Sequence, residues 1–484
     1  MKRGERNAGK ELYQQLRGLP WETLWTEEVP RFDGATQEER AERVAVIRAV
    51  GVVFGESGPQ QLGNDVRGWL RNLLNDPVEK VRRYAMKALP KVGAGQEEES
   101  DLLALLQNTD IDREQKFLAR ALDKIGGERT LAATQGLLPQ TEQKARAAVA
   151  RSGSPGSIRM GSVLEDFAGV TIALRGRRGL EGVVRQEVEA AARGRFRVLD
   201  QSDGLVVIAA VAPFSLADVY KLRCFGTAGF SLGTAPADAL AGLMTSPAAL
   251  RLLRAFTEGV PRYRLDFVSK GHQRAAVREL ANRVYALCPE ILNDPRSALW
   301  AIDVHSTESG ETVELRPRLK PDPRFAYRLQ DIPAASHPPL AAGMARLAGE
   351  MEGEVVWDPF CGSGVELIEC ALRGGARALF GTDLSTEAIA IAHNNVAAAG
   401  IAPDAAQLIC CDFREHGSVE GLGAGRVSLI ITNPPLGMRV PIPNLRQLIA
   451  DLFSVAAVAL RPGGRLVFIN PLRLSSVDPT LRLE

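Results

Sequence analysis

The stretch that most constrains this chain runs from Val355 to Gly364, where the apolar run Val355-Val356-Trp357 stops at Asp358 and gives way to Pro359-Phe360-Cys361-Gly362-Ser363-Gly364. A short apolar strand that turns through glycines into a helix beginning near Val365 is the opening βα unit of a doubly wound parallel sheet, and such sheets bind ligands at the carboxyl ends of their strands. Glycine lets backbone approach a ligand because no Cβ intervenes. Phosphate-binding loops have the spacing G-x-G-x-x-G, or G-x-x-x-x-G-K-[ST] with a lysine behind the glycines. Here the pattern is D-x-x-x-G-x-G with no following lysine. The acid in front repels phosphate and suits a cationic ligand.

Three more predicted strands end in the same way. Ala378-Leu379-Phe380-Gly381 runs into Thr382-Asp383, Gln407 to Cys410 into Cys411-Asp412-Phe413, and Val427 to Ile431 into Thr432-Asn433-Pro434-Pro435. Asp383 follows the glycine loop by one helix and one strand, and an acid at the end of a second strand accepts hydrogen bonds from both hydroxyls of a ribose. Polar groups at four successive strand ends (Asp358, Asp383, Asp412, Asn433), in register with a G-x-G loop, point to S-adenosylmethionine.

The Asn433-Pro434-Pro435 element narrows the reaction. An exocyclic amine on a nucleobase is conjugated with its ring and is a poor nucleophile until acceptors hold its hydrogens. The Asn433 side-chain carbonyl and the Pro434 main-chain carbonyl can do so, and the proline rings lock their own φ angles and with them the shape of the turn. No general base is required, because the nitrogen becomes acidic only as its bond to the methyl forms. Catalysis is then mainly the alignment of a nucleophile with the methyl group.

At 484 residues the chain exceeds one core, and domains of ~100–200 residues predict about three. From Glu39 to about Gly153 the pattern is helical, and it repeats. Tyr84, Ala85, Ala88, Leu89, Val92 and Gly93 recur at a constant offset as Phe117, Leu118, Ala121, Leu122, Ile125 and Gly126. Repeats of this length cannot bury their own apolar faces and stack into a solenoid. The segment Val81 to Leu89 resembles HEAT repeats, which implies an α-solenoid over 36–153 offering a docking surface to a protein partner. Residues 1–35 carry no clear period. Ser152-Gly153-Ser154-Pro155-Gly156-Ser157 is a linker by composition. Beyond it strands and helices alternate irregularly: Val170–Leu174, Gly179–Ala192, Leu205–Ala209, Leu265–Val268, Arg274–Leu287, Ala298–Val304 and Thr312–Leu315 predict an α+β region.

Charge is uneven along the chain although the net value is +1. Thr171 to Arg197 holds seven arginines against three acids, whereas Ser336 to the end holds eleven arginines, no lysine and fifteen acids. Nucleic acid gripped by one region and acted on by another gives such a distribution. Tyr263, Lys270, His272 and Arg274 are the first candidates for RNA contacts. The six cysteines have no C-x-x-C spacing and the histidines do not cluster with them, so neither a disulfide framework nor a metal site is expected, and a reducing cytoplasm is the default setting. No apolar run reaches the ~20 residues of a membrane span.

Asp358-Pro359-Phe360-Cys361-Gly362-Ser363-Gly364 together with Asn433-Pro434-Pro435 resembles motifs I and IV of class I amino-methyltransferases. Arg324-Phe325-Ala326-Tyr327-Arg328 and Pro333 to Ala341 resemble the junction in THUMP-domain RNA methyltransferases of the guanine-N2 type. The resemblance spans about 160–470, with the helical repeats outside it. It implies a THUMP-like, RNA-binding α+β region over 160–335 and a Rossmann-like α/β methyltransferase domain over 336–484. It further implies that Asp358, Phe360, Gly362 and Gly364 shape the methionine end of an S-adenosylmethionine pocket. Asp383 would bind the ribose, Asp412 the adenine amine, and Leu384 and Phe413 the two faces of the adenine. The helix start from Ser336 to Leu340, with Pro338, would close over the cofactor. Asn433, Pro434, Pro435 and Leu436 would hold the target amine, guanine N2 of a structured RNA, tRNA or rRNA. Adenine N6 is the alternative target, and an RNA-binding scaffold without turnover is the reading from a different class. Two departures stand out. Leu436 occupies a position usually aromatic. After the fifth strand at Gly464–Asn470 only the short segment from Pro471 to Glu484 follows, too little for the usual helix and β-hairpin, so that strand is expected at a sheet edge.

Overall fold

The computed structural model describes residues 3–134, 138–153, 156–192, 194–271, 273–333, 335–435, 442–470, 472 and 478–482. The chain divides into two compact units that interleave in sequence. One comprises Met1–Ser157 with Thr234–Glu311, and the other Ile158–Gly233 with Thr312–Glu484.

In the first unit, amphipathic helices follow one another: α1 (Ala45–Ser57), α2 (Glu79–Ala88), α3 (Asp112–Ile125) and α4 (Pro139–Gly153). Each packs on the next in order. The apolar stripes of α1, α2 and α3 meet in one core, with Ile47 and Val50 from α1, Val81 and Ala85 from α2, and Leu118 and Leu122 from α3, while Ala147 of α4 packs with Tyr285 and Leu292. The spacing of three or four within each pair from α1, α2 and α3 puts them on one face of a helix. Residues 3–33 are helical too and close the end of this core, with Trp21 stacked on Trp25 at 5.4 Å and set against Phe54 at 5.0 Å. Their buried residues, Leu16, Trp21, Leu24, Val29 and Phe32, follow one another at alternating steps of five and three, which gives no regular helical period.

The same unit contains the parallel strands Leu292–Asn293, Arg262–Phe267 and Trp300–Thr307, with helix α5 (Arg274–Leu287) between them in sequence. Tyr263 lies on the central strand and is 1% exposed. This corrects its candidacy as an RNA contact: alternation along Arg262–Phe267 turns it into the core. Lys270 is ion-paired with Glu311, Arg274 is exposed, and His272 lies outside the described residues.

In the second unit, an antiparallel sheet takes the order Gly310–Pro317, Thr227–Ala235, Thr171–Arg175, Leu205–Ala210, Phe196–Ser202. The C-terminal part is a five-stranded parallel sheet built from β1 (Val355–Asp358), β2 (Ala378–Asp383), β3 (Ala406–Cys410), β4 (Val427–Thr432) and β5 (Leu460–Phe468), in the order β3-β2-β1-β4-β5. Both faces of its three central strands are covered, which is why β1, β2 and β4 read as apolar runs, whereas the edge strands β3 and β5 are partly exposed. Val356, Leu429 and Ile431 pack with α6 (Pro338–Leu347), α7 (Val365–Leu372) and α8 (Thr386–Ala398) on one side. Trp357, Phe380 and Ile430 pack with α9 (Leu445–Ala459) on the other. The fifth strand begins at Leu460 rather than Gly464, because Leu460 pairs with Val427 across a bulge before regular pairing resumes at Arg465. Strand order reverses between β1 and β4, so the loops leaving Asp358 and Thr432 diverge and leave a crevice at their carboxyl ends. No described helix is long and apolar enough to cross a membrane.

Helices α1 and α2 approach most closely at Gly51, where an added Cβ would stand 2.8 Å from the Cβ and 3.1 Å from the Cα of Ala88. Gly51→Val therefore forces the two helices apart. It should destabilise the fold by roughly 1–3 kcal/mol, the usual penalty of overpacking, seen as a lower denaturation midpoint at unchanged m-value.

Candidate active site at the sheet switch point

Strand β1 delivers Asp358 to the crevice with its carboxylate fully buried. One oxygen, Oδ1, accepts from the Thr432 hydroxyl at 2.6 Å and from the Phe360 amide at 3.0 Å. It thereby ties the end of β1 to the end of β4 and shapes the first residues of the glycine loop. The other oxygen, Oδ2, is buried with no hydrogen-bond partner. Downstream, Gly362 (φ +51°) and Gly364 (φ +82°) take left-handed conformations that a side chain would strain. A Cβ on Gly364 would also meet the Cβ of Ala392 at 3.3 Å. Gly364 caps α7, whose first turn carries Glu366.

Asp383, ending β2, clasps two loops: Oδ2 accepts from the Gly362 amide at 3.0 Å and Oδ1 from the Ser385 amide at 2.9 Å. A carboxylate has about four acceptor sites, so two remain for hydroxyl donors. Leu384 beside it is 73% exposed. The third strand end differs from what the resemblance implies. The Asp412 carboxylate is ion-paired with Arg414 at 3.0 Å, and Arg414 reaches Asp451 at 2.7 Å. The Phe413 ring is buried, with Phe360 at 4.8 Å and the Arg414 guanidinium over it at 4.8 Å. Leu384 is thus a rim group and Phe413 a core group, and an adenine amine at Asp412 would share the carboxylate with Arg414.

At the end of β4, the Asn433 Nδ2 donates to Ser336 Oγ at 2.9 Å, and the Ser336 hydroxyl donates to the buried Glu366 carboxylate. The Asn433 Oδ1 is buried without a partner. With its hydrogen committed to Glu366, Ser336 can only accept from Asn433, which directs the amide carbonyl away from it. Pro434 is buried and Pro435 partly so; Leu436 lies outside the described residues. Pro338, buried in the first turn of α6, follows Ser336 by two positions, so the α6 start and Asn433 are joined through Ser336.

The charges here reinforce one another. Burial, then the nearby Glu366 charge, pushes the Asp358 carboxyl well above its ordinary value, against the opposing hydrogen bonds from Thr432 and Phe360. Burial likewise raises Glu366, opposed by Ser336. The Cys361 thiol between them is pushed up by burial and then by Asp358, Asp383 and Glu366. Three carboxyl groups thus surround the glycine loop in a poorly screened environment, where charge interactions are strong. An unsatisfied buried polar atom calls for an explanation, and Asp358 Oδ2, Ser363 Oγ and Asn433 Oδ1 all stand without partners on the loops leaving β1 and β4. These residues fit a ligand with a positive group, a ribose and an amine-bearing neighbour. The sequence places Ser336 at the helix start over the cofactor but does not reveal its link to Asn433, nor Thr432 and Glu366 as site-builders. The available signal is Glu366 itself, an acid on the buried face of an otherwise apolar helical turn.

Residues 326–475 match the family model described as UPF0020, RMKL-like, methyltransferase domain. This part of the chain is a methyltransferase domain. Its cofactor is S-adenosylmethionine. Among curated proteins, the chain is 28% identical over 185 residues to the tRNA (guanine(10)-N2)-dimethyltransferase of Methanothermobacter thermautotrophicus, a match covering 38% of this chain and 49% of the relative. The chain thus spans about half the length of the curated relative it matches. Among solved structures, TrmN from Thermus thermophilus aligns with a TM-score of 0.48 at 20% identity, over 62% of this chain and 88% of that one. A predicted N6-adenine-specific DNA methylase from Listeria monocytogenes aligns with a TM-score of 0.44 at 19% identity, over 59% and 85%.

The raised Asp358 carboxyl has a consequence for stability. A carboxyl whose folded-state pKa lies above its ordinary 3.8 opposes folding once it must ionise. Its contribution is most favourable below the ordinary value and is lost as pH rises toward the folded-state pKa. In methyltransferase free of cofactor, the stability of the native protein relative to Asp358→Asn should therefore fall as pH is raised from about 4. Denaturant melts of both proteins across pH measure this, and a difference that does not vary with pH would contradict it.

Proposed function

We propose that the methyltransferase domain methylates an exocyclic amine of a base in structured RNA, with guanine N2 of tRNA or rRNA as the target. The observation that carries this is Asn433, whose amide nitrogen donates to Ser336 while its carbonyl oxygen is buried without a partner. That oxygen is an acceptor waiting for a donor, and an amine has hydrogens to give. Similarity to a tRNA guanine-N2 dimethyltransferase favours guanine over adenine.

When bound, S-adenosylmethionine supplies an electrophilic methyl on a sulfonium and leaves as the neutral thioether. Asp358 and Glu366 provide negative potential for a positively charged ligand, and Gly362 and Gly364 let it approach the backbone. Asp383 keeps acceptor sites for the ribose. Leu384 rims the adenine end, where the adenine amine would share the Asp412 carboxylate with Arg414. Asn433 Oδ1 and the Pro434 carbonyl accept the two amine hydrogens, which frees the nitrogen lone pair to form the new C–N bond. The proton shed afterwards passes to solvent. Ser336 and Glu366 are positioning residues that keep the Asn433 carbonyl turned toward the amine. The region 36–153 is read as HEAT-like repeats and 160–335 as a THUMP-like RNA-binding region, in keeping with a cytoplasmic RNA-modifying enzyme.

The test is transfer of labelled methyl to separate pools of tRNA, rRNA, duplex DNA and protein, followed by digestion of the labelled product to nucleosides. Label is expected in RNA as N2-methylguanosine; N6-methyladenosine would establish the adenine alternative, and cofactor binding without label in any pool would favour the scaffold. Asn433→Ala should lower kcat by about 10²–10³, as removal of one such preorganised group does elsewhere. Ser336→Ala should lower kcat by roughly 10–100-fold, the scale typical of groups that orient a functional side chain.

A further inference from the structure

The helical unit carries a groove of about 700 Å³, and its lining is cationic. Lys87 at the end of α2 and Arg120 and Lys124 on α3 line one part of it, and Arg274, Arg278 and Arg296 another. All six side chains are on exposed residues. Its two acids are already engaged, Asp123 by Lys144 and Asp294 by Arg151 at 2.8 Å. No carboxylate among the described residues pairs with any of the six.

The cations follow the repeat. Lys87 and Lys91 recur one repeat later as Arg120 and Lys124, so consecutive helices present basic side chains at matching positions. They repel one another: burial, then Arg48, Arg120 and Lys124, holds the Lys87 ammonium below its ordinary value. Lys91 is lowered by burial and then by Arg48, Lys87 and Lys124. A folded protein that gathers like charges in a groove without counter-charges destabilises itself, and an anionic ligand relieves that repulsion. Four of the six groups are arginines, whose planar forks match phosphate oxygens. The aromatic ring nearby, Phe117, already has the guanidinium groups of Arg83 and Arg120 over it, at 5.3 and 5.7 Å, which leaves little ring face for a base to stack on.

We infer that this groove binds the phosphate backbone of RNA without reading its sequence, so that the helical repeats hold the substrate instead of docking a protein. The inference rests on the RNA-methyltransferase reading. Each phosphate contact contributes about 0.7–0.9 to the slope of log K against log salt concentration. In the full-length protein, Lys87→Glu with Lys124→Glu should therefore reduce the slope for pooled tRNA by roughly 1.4–1.8. Affinity should fall more than tenfold, KM for RNA should rise by a similar factor, and kcat at saturating RNA should hold. An unchanged melting temperature checks that the variant is folded. RNA methylation with the native slope and KM in the variant would overturn the groove while leaving the proposed function intact. Label found in DNA or protein instead of RNA would overturn the function itself. Unaltered RNA binding accompanied by lost binding of a polyglutamate peptide would assign the groove to an acidic protein and refute the inference.

Discussion

The chemistry of this protein depends on where strand Val355–Asp358 stops. Val355, Val356 and Trp357 are buried on both faces of the sheet, so the strand cannot slip without carrying apolar side chains into water. That fixed register delivers a carboxylate, Asp358, into a dry position beside the strand-order reversal. One of its oxygens binds Thr432 and Phe360 and so joins the two loops that frame the crevice. The other has no partner. A buried carboxylate without a cation costs stability, and its retention beside Glu366 is understandable where a positively charged ligand completes the arrangement.

The same logic runs through Asn433. Its amide could face either way, and the Ser336–Glu366 pair decides which. Glu366 sits in the first turn of the helix that leaves the glycine loop, so the pair that orients Asn433 is joined to the support of that loop. The two sites are opposite in charge: carboxyl groups concentrate about the glycine loop, and lysines and arginines without carboxylate partners among the described residues line the groove of the helical unit. Each is unfavourable for the folded chain alone and favourable with a ligand of the complementary charge.

The sheet and its crevice are legible in the sequence because the central parallel strands, buried on both faces, appear as apolar runs that end in a polar residue. Asp358, Asp383, Asp412 and Asn433 can be placed at strand ends from that alone, and helix Arg274–Leu287 from its period. The links between those residues are not legible. Ser336 and Asn433 are 97 positions apart, and nothing local in either segment encodes their meeting. The strands Phe196–Ser202 and Thr227–Ala235 give little signal because the first is largely exposed and the second contains two glycines. Tyr263 looks like a surface aromatic in sequence because alternation along a short strand does not reveal which face is the core. The engagement of Asp412 and Phe413 by Arg414 is a side-chain arrangement that spacing cannot convey.

Burial and the neighbouring Glu366 charge raise the Asp358 carboxyl well above its ordinary value, and a cation bound beside it would lower it again. Calorimetric titration of the protein with S-adenosylmethionine at a series of pH values upward from the ordinary carboxyl range, in two buffers of different ionisation enthalpy, measures protons exchanged on binding. The account predicts net proton release in the native protein and its loss in Asp358→Asn. Binding that exchanges no protons, or releases as many in the variant as in the native protein, would contradict it.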